Sequence, residues 1–282
     1  ASRALLVDVE RDGNQTFSLP PPMAGFFEFS MMRIGGNFDQ KLLAELFYQY
    51  MNIEDEFVTE LFSLQTPIGR TFVHEETIED HTIHVLDFER ATEVIKTASH
   101  IGIGTCYCRH KKEHVGQACD APMEICMTFN ATASSLIKYG YAREVDVDEC
   151  LDLLDVAKQH NLVQFGDNVQ KEVAFICNCC GCCCEALVAA RKVGPTQAIN
   201  TSNYICEVED DKCTGCMKCI DVCPVEALSM VSKNDPHKPK APFSRYLFIV
   251  NAALEGYGGL EHRSSTVLLC KRDQLPYLDH DP

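Results

Sequence analysis

The sequence predicts an α+β protein, in which a helical region precedes a module organised around cysteines. Apolar residues recur at helical spacing in the first third of the chain, for example at Leu42, Leu46 and Tyr50. Short β-rich runs such as 173–176 lead into a cysteine-rich segment, and most of the 17 cysteines lie there or at 106–126. With 282 residues, 46% of them hydrophobic, the chain can form one large or two to three small domains.

The N-terminal part is predicted to be a helical domain with a two-stranded wing. Asp39 is the expected N-cap of the first helix, and Gly102 is expected to end the last one. Two short strands are predicted at 71–74 and 81–86, where apolar and polar residues alternate. Helices followed by such a wing are winged-helix-like, but the basic helix that reads DNA is absent, so we expect packing or partner docking. The three helices are predicted over residues 39–51, 54–64 and 87–100.

The remaining elements complete a division into five segments. A further helix is predicted over 146–160, where Asp146 and Glu149 have capping-box spacing, and its carboxylate-rich front half is expected to be a solvated face. The tail contains an apolar run at 246–254 and a predicted strand at 266–270. The segments are an irregular N-terminal lead-in at 1–30, the winged-helix-like domain at 31–105, a cysteine-containing helical segment at 106–172, a cluster-binding module at 173–232 and a C-terminal extension at 233–282.

Charge and hydropathy exclude several classes of partner. The net charge of −16 argues against nucleic acid, because phosphate binding requires a basic face. No apolar run approaches the roughly 20 residues that span a bilayer. The cysteines are clustered in a long chain and no secretory segment opens it, so we expect reduced thiolates that hold metal in a cytoplasm rather than disulfides.

The most specific motif begins at Cys213 and reads C-x2-C-x2-C-x3-C-P, which is the spacing of a [4Fe–4S] cluster site. A zinc site usually pairs two C-x2-C knuckles instead of joining three spacings in one run. The motif resembles bacterial-type ferredoxins and the ferredoxin-like modules of larger redox enzymes, and the resemblance covers residues 173–232. The four cysteines of this run, Cys213, Cys216, Cys219 and Cys223, are candidate cluster ligands.

A second cysteine run occupies positions 177–184 and holds more thiols than one cubane can bind. It consists of Cys177, Cys179, Cys180, Cys182, Cys183 and Cys184. The resemblance to two-cluster ferredoxins implies one cluster on Cys177, Cys180 and Cys183 that Cys223 completes. The reciprocal position is Leu187, so the fourth ligand of the cluster on the Cys213 run stays open between Cys206 and Cys184. Cys179 and Cys182 offer a competing register.

A third set of cysteines has less diagnostic spacing. Its members are Cys106, Cys108, Cys119 and Cys126. They could hold a third [4Fe–4S] cluster or a tetrahedral zinc ion, or remain as unliganded thiols. A basic island at 109–114 lies between them and is expected either to raise the potential of a nearby cluster, to meet an acidic partner or to be a solvated loop.

The combined pattern C-x-C-R, C-N-C-C-G-C-C-C and C-x2-C-x2-C-x3-C-P resembles a family of iron–sulfur oxidoreductase subunits from anaerobic metabolism. Cys179-Cys180-Gly181 also resembles the Cys-Cys-Gly modules of heterodisulfide reductases. We therefore expect a cytoplasmic electron-transfer subunit with two or three [4Fe–4S] clusters and no catalytic residue of its own. Its partner would be the catalytic subunit of a redox complex or a soluble carrier. The alternatives are an iron–sulfur redox sensor and an oxidoreductase that uses an atypical cluster at 177–184.

Overall fold

The computed structural model describes about two thirds of the chain in detail, including most of residues 1–193. The second predicted wing strand, Cys213, Cys216 and the apolar run at 246–254 lie outside the described residues. The described residues are 5–11, 13–20, 23–62, 69–72, 90–169, 171–193, 199–200, 205–208, 217–221, 223, 229–232, 235–240 and 268–271.

The chain begins with a β-hairpin of β1 (Val7–Arg11) and β2 (Asn14–Ser18), where the sequence predicted an irregular lead-in. The missed signal is an Asp-Gly pair between the strands, which is typical of tight hairpin turns. Gly13 adopts a φ of +76°, a conformation that glycine reaches without steric cost. A π-helical segment (Met23–Glu28) and α1 (Phe29–Met32) follow.

The two helices predicted next are confirmed. They are α2 (Gln40–Tyr48), extended by a π-helical segment (Gln49–Ile53), and α3 (Asp55–Phe62). Asp39 caps α2, because its carboxylate accepts a hydrogen bond of 3.0 Å from the Leu42 amide.

A seven-stranded mixed sheet forms the centre of the molecule. Its order is β6-β4-β5-β8-β7-β3-β9, and all neighbours are antiparallel except β3 and β9. The sheet joins parts of three segments that the sequence analysis separates. Its strands are β3 (Gly69–Thr71), β4 (Ile101–Thr105), β5 (Glu124–Phe129), β6 (Ala142–Glu144), β7 (Val163–Asp167), β8 (Phe175–Cys179) and β9 (Ile199–Asn200).

Two details of the N-terminal prediction differ from the structure. Of the first predicted wing strand, Thr71 is the last residue of β3, which pairs with β7 in the central sheet. Gly69 permits this pairing because a Cβ there would lie 2.2 Å from the Phe165 ring. The third helix is α4 (Ala91–Thr97), and Gly102 lies within β4 instead of capping it. A Cβ at Gly102 would lie 2.9 Å from Thr128 Oγ1, so strand packing accounts for this glycine.

Helices that connect the strands along the chain pack against the sheet. Asp146 caps α7 (Val147–Gln159) as predicted, accepting a 2.9 Å hydrogen bond from the Glu149 amide. The acidic residues in the front half of this helix are exposed. Cys150 packs in the core at the opposite side of α7. The helices after α4 are α5 (Tyr107–His114), α6 (Asn130–Lys138), α7 (Val147–Gln159), α8 (Glu185–Val193) and α9 (Lys218–Asp221).

The hairpin is attached to α6 through a buried carboxylate. Asp8 accepts hydrogen bonds from Ser135 at 2.7 Å, from Gln15 at 2.9 Å and from Lys138. Burial opposes ionisation, but these hydrogen bonds together hold the pKa of Asp8 well below its usual range. The N-terminal strands are therefore part of the packed structure.

Two further antiparallel pairs lie in the second half of the chain. In the first, Cys206 of one strand is the register partner of Cys270 of the other. The strand that contains Cys270 confirms the prediction for the tail. The pairs are β10 (Ile205–Val208) with β13 (Leu268–Lys271), and β11 (Ser229–Ser232) with β12 (Asp235–Lys240). Among the described residues, no helix combines the length and apolarity that crossing a membrane requires.

Candidate metal centres

Ten cysteines from the 106–126 and 177–184 segments converge into two adjoining groups. The six-cysteine group consists of Cys106, Cys108, Cys126, Cys177, Cys179 and Cys184. The four-cysteine group consists of Cys119, Cys180, Cys182 and Cys183. Each group draws ligand candidates from both segments, whereas the spacing predicted that the segments would form separate sites.

The six-cysteine group is assembled by the central sheet. Cys126 lies on β5, and β5 pairs with β8, which carries Cys177 and Cys179 on one face because they are two residues apart. Cys106 is the N-cap of α5, directly after β4, and its amide donates a 2.7 Å hydrogen bond to Met123. Cys184 directly precedes α8. The sheet thus fixes the backbone around this group.

The six thiols form a closed ring in which each lies near enough to two others to shift their pKa. Around the ring the order is Cys106, Cys126, Cys177, Cys179, Cys184 and Cys108. All are buried except the half-buried Cys177. Hydrogen bonds from Cys108 and Cys126 hold the pKa of Cys106 well below its usual range, and those from Cys108 and Cys179 do the same for Cys184. The pKa values of the other four thiols are raised, so the group contains two thiols that ionise readily, and metal binding requires ionised thiols.

A buried carboxylic acid lies against this ring. Glu28 Oε1 lies 4.0 Å from Cys177 Sγ, and the side chain is 8% exposed. Burial, followed by the nearby Cys106, Asp167 and Cys184, raises the pKa of Glu28 to about 8. Glu28 is thus mainly protonated at neutral pH. The sequence contains no local signal for this residue, which lies about 80 positions before the first cysteine.

The four-cysteine group lies beside the six-cysteine group but nearer to solvent. The four Sγ atoms are within 4.8 Å of one another. Cys183 is buried, Cys119 and Cys180 are half-buried, and Cys182 is exposed. Hydrogen bonds from Cys182 and Cys183 lower the pKa of Cys180, whereas the bond with Cys180 raises the pKa of Cys182 to about 12. The thiol that ionises first in this group is therefore Cys180.

Arg109 lies between the two groups. Its guanidinium donates hydrogen bonds of 2.8 Å to the carbonyls of Pro122 and Asn178, and the side chain is fully buried. Burial alone would lower the pKa of Arg109, but thiols of both groups, Cys106 and Cys180 foremost, raise it above its ordinary value. A permanent positive charge therefore faces both sets of sulfur atoms.

The basic island of the sequence is the buried helix α5, so the solvated-loop interpretation is wrong. His110 Nδ1 lies 2.7 Å from the Met31 carbonyl, and the Lys112 ammonium lies 4.4 Å from the centre of the Tyr48 ring. Lys111 forms a buried ion pair with Glu185 and donates a 2.7 Å hydrogen bond to Asn52. Asn52 in turn donates to Glu185 at 3.1 Å. Buried cations of this kind are tolerated because each has partners.

The ligand candidates of the Cys213 run are only partly described. Cys223 is buried, Cys219 lies in α9 and Cys206 lies in β10, whereas Cys213 and Cys216 are outside the described residues. The proposed sharing of Cys223 with the Cys177 cluster stays a prediction.

Comparison with known families gives one match. The family of 4Fe-4S binding domains matches residues 207–229, which include all four cysteines of the Cys213 run. No curated protein and no solved structure is significantly similar to the chain. The match identifies a 4Fe-4S binding domain within this chain and supports an iron–sulfur electron-transfer role in general.

Proposed function

We propose that this chain is an electron-transfer subunit that relays single electrons between a partner oxidoreductase and a carrier. One [4Fe–4S] cluster would be held by Cys213, Cys216, Cys219 and Cys223 in a ferredoxin-like module. The observation that carries the proposal is the 4Fe-4S domain match at 207–229, in a chain whose core also contains the six-cysteine group. An electron relay requires at least two cluster sites in one chain, and the two thiol sites would meet this requirement.

The six-cysteine group has the donor set of a second cluster. It offers thiols only, and thiolates are the usual ligands of iron–sulfur clusters. The site is buried, and Arg109 supplies a positive charge beside it. A bound cluster would accept and donate one electron, and the cation would stabilise the reduced and more negative state. The chain's own part is to exclude water, neutralise charge and fix the thiolates.

The number of thiols favours a second candidate function. Six ring members exceed the four that a cubane uses, which supports an atypical cluster with more thiolate ligands. The protonated acid Glu28 lies at its edge and could supply a proton at Oε1 to a substrate reduced there. This version is an oxidoreductase with catalysis at the six-cysteine group.

Iron content and magnetic spectroscopy test the proposed function. Anaerobically purified protein should contain about eight irons with matching sulfide, and a reductive titration should give interacting S = 1/2 signals from two clusters. Cys126→Ala should lose about four of these irons, because it removes a ring member on β5. The matched control is Cys150→Ala, which removes a buried core thiol outside both groups and should leave the iron content unchanged.

The outcomes separate the candidates. If the wild type contains only about four irons and Cys126→Ala keeps them, the second cluster is wrong. Turnover of a small oxidised substrate by the isolated chain, lost in Cys126→Ala but not in Cys150→Ala, would favour the catalytic version over the relay.

A further inference from the structure

We propose that the four-cysteine group binds a single Zn²⁺ ion in a tetrahedral site that is separate from the iron–sulfur clusters. The ligands are Cys119, Cys180, Cys182 and Cys183. This inference does not depend on the proposed electron-transfer function, because it rests on the spacing of the four sulfur atoms and on their donor chemistry.

The spacing of the four sulfurs fits one ion. A tetrahedral site with Zn–S bonds of about 2.3 Å places its sulfurs about 3.8 Å apart. Cys119 and Cys180 are separated by 3.6 Å, Cys182 and Cys183 by 3.6 Å, and Cys183 and Cys119 by 3.9 Å. In a cubane each thiolate binds a different iron, so the cysteine sulfurs are spread around four metal atoms and lie further apart. The observed edges are those of a mononuclear site.

The six-cysteine group shows the contrast within the same molecule. Its sulfurs are arranged in a ring. No three of them lie as close together as the sulfurs of the four-cysteine group, which are all within 4.8 Å of one another. One ion could not contact the whole ring. The two groups therefore differ in the kind of metal centre that they fit, even though both contain thiols only.

The chemistry of the donors favours zinc over iron for the single-ion site. Structural zinc sites are four-coordinate and are often made from four cysteines, without an open position. Divalent zinc also binds nitrogen and sulfur ligands more tightly than divalent iron does. Four thiolates around Zn²⁺ leave a net charge of −2, and two cations adjoin the site: Arg109 faces Cys180, and Arg191 donates a 2.7 Å hydrogen bond to the carbonyl of Gly181. These cations offset the excess negative charge.

The position of the ligands gives the ion a structural role. Cys119 lies in the loop that precedes β5, and the other three ligands lie in the turn that follows β8. A zinc ion would therefore fasten that loop to that turn at one end of the paired strands. The same turn ends at Cys184, so the ion would also hold one side of the six-cysteine group in place.

Metal analysis with zinc-edge X-ray absorption tests the site. Anaerobically purified wild type should contain about one zinc per chain, with four sulfur neighbours at about 2.3 Å. Cys119→Ser and Cys182→Ser should each lose most of the zinc while keeping the iron content and the S = 1/2 signals. Cys182 is exposed, so its variant is the one expected to fold in any case. Cys150→Ala is the control and should keep both metals.

Three results would overturn the proposal. The first is loss of several irons in Cys182→Ser, which would assign these cysteines to a cluster. The second is a single iron in place of zinc, detected as an additional iron with four sulfur neighbours at the iron edge. The third is a zinc content that Cys119→Ser and Cys182→Ser leave unchanged, which would mean that zinc binds elsewhere. A far-ultraviolet circular dichroism spectrum for each variant separates these results from misfolding.

Discussion

The two cysteine groups share one short segment but provide opposite environments. Cys177 and Cys179 lie on β8, where the pleat sends alternate residues to one face, and they enter the buried ring. Cys180, Cys182 and Cys183 follow in the turn and form the site nearer to solvent. The ring is supported by the sheet, by α5 and by buried polar residues, whereas the other group depends on a loop and a turn. The comparison shows that backbone geometry, and not spacing along the chain, assigns neighbouring cysteines to different groups.

The largest effect on stability should come from removing the counterion of Lys111, a buried cation on α5, the helix that carries Cys108 of the ring. In Glu185→Gln the Lys111 ammonium loses its carboxylate counterion in a site that excludes water and keeps only neutral neighbours, Asn52 and the Tyr48 ring among them. Leaving a buried charge without its counterion should lower the free energy of unfolding by about 3–5 kcal/mol, measured by urea unfolding under anaerobic conditions.

An exposed ion pair provides the matched control for this variant. Lys41→Gln breaks the pair with Glu45 on α2, where both side chains are at least half exposed. Its effect should stay below about 0.5 kcal/mol. Equal losses in the two variants would contradict the claim that the support of the ring is buried.

A pH dependence should be specific to the ring and should come from Glu28. Its pKa of about 8 in the folded protein exceeds the value of 4.5 for an ordinary glutamic acid. The folded state therefore binds the proton more tightly, and the stability that this provides is fully present below pH 4.5 and is lost as the pH rises through 8. Between pH 5 and pH 8 the free energy of unfolding should fall by on the order of 3 kcal/mol through this group.

Glu28→Gln tests this dependence because glutamine has a similar shape and does not titrate. The variant should show a flatter profile of unfolding free energy over the same pH range, and wild type and variant should differ least at the acidic end. An unchanged slope in the variant would show that Glu28 ionises normally and that its surroundings are wetter than the structure indicates.

The smallest effect should be electrostatic and should distinguish the charge of Arg109 from its hydrogen bonds. Reduction adds negative charge to a cluster, and Arg109 stabilises that charge, so Arg109→Gln should lower the midpoint potential. A drop on the order of 60 mV corresponds to a tenfold change in the equilibrium constant of a one-electron couple. Potentiometric EPR measures it.

Arg109→Lys is the control, because it keeps the positive charge but loses the fork that reaches Pro122 and Asn178. This variant should lower the free energy of unfolding, while its midpoint potential should stay close to that of the wild type. A larger potential shift in Arg109→Lys than in Arg109→Gln would mean that geometry, and not charge, sets the potential.

Local features of the fold could be predicted from the sequence, and long-range ones could not. The caps at Asp39 and Asp146 depend on neighbouring residues, and both are observed. The role predicted for Gly102 was wrong, and none was predicted for Gly69, because each glycine is required by a contact with a distant strand. The β-hairpin at 7–18 was missed although its Asp-Gly turn is a local signal.

The same distinction holds for the candidate sites. The cysteines that carry the ligand chemistry were identified individually, because thiols at such density rarely serve packing alone. Their grouping depends on the pairing of β5 with β8, which brings Cys126 beside Cys177 across about 50 residues of chain. Glu28 and Asn52 also reach the sites through the tertiary fold, so no nearby pattern marked them.

The turn after β8 also limits how this protein can evolve. The register of β8 is fixed on both sides, by β5 and by β7, so Cys177 and Cys179 cannot move along the sheet. Insertion of one residue near Gly181 would shift Cys182 and Cys183 relative to Cys180, and Cys184 relative to the ring. We therefore expect natural variation in this segment to occur by substitution, while its length stays constant because both cysteine groups depend on positions within the same eight residues.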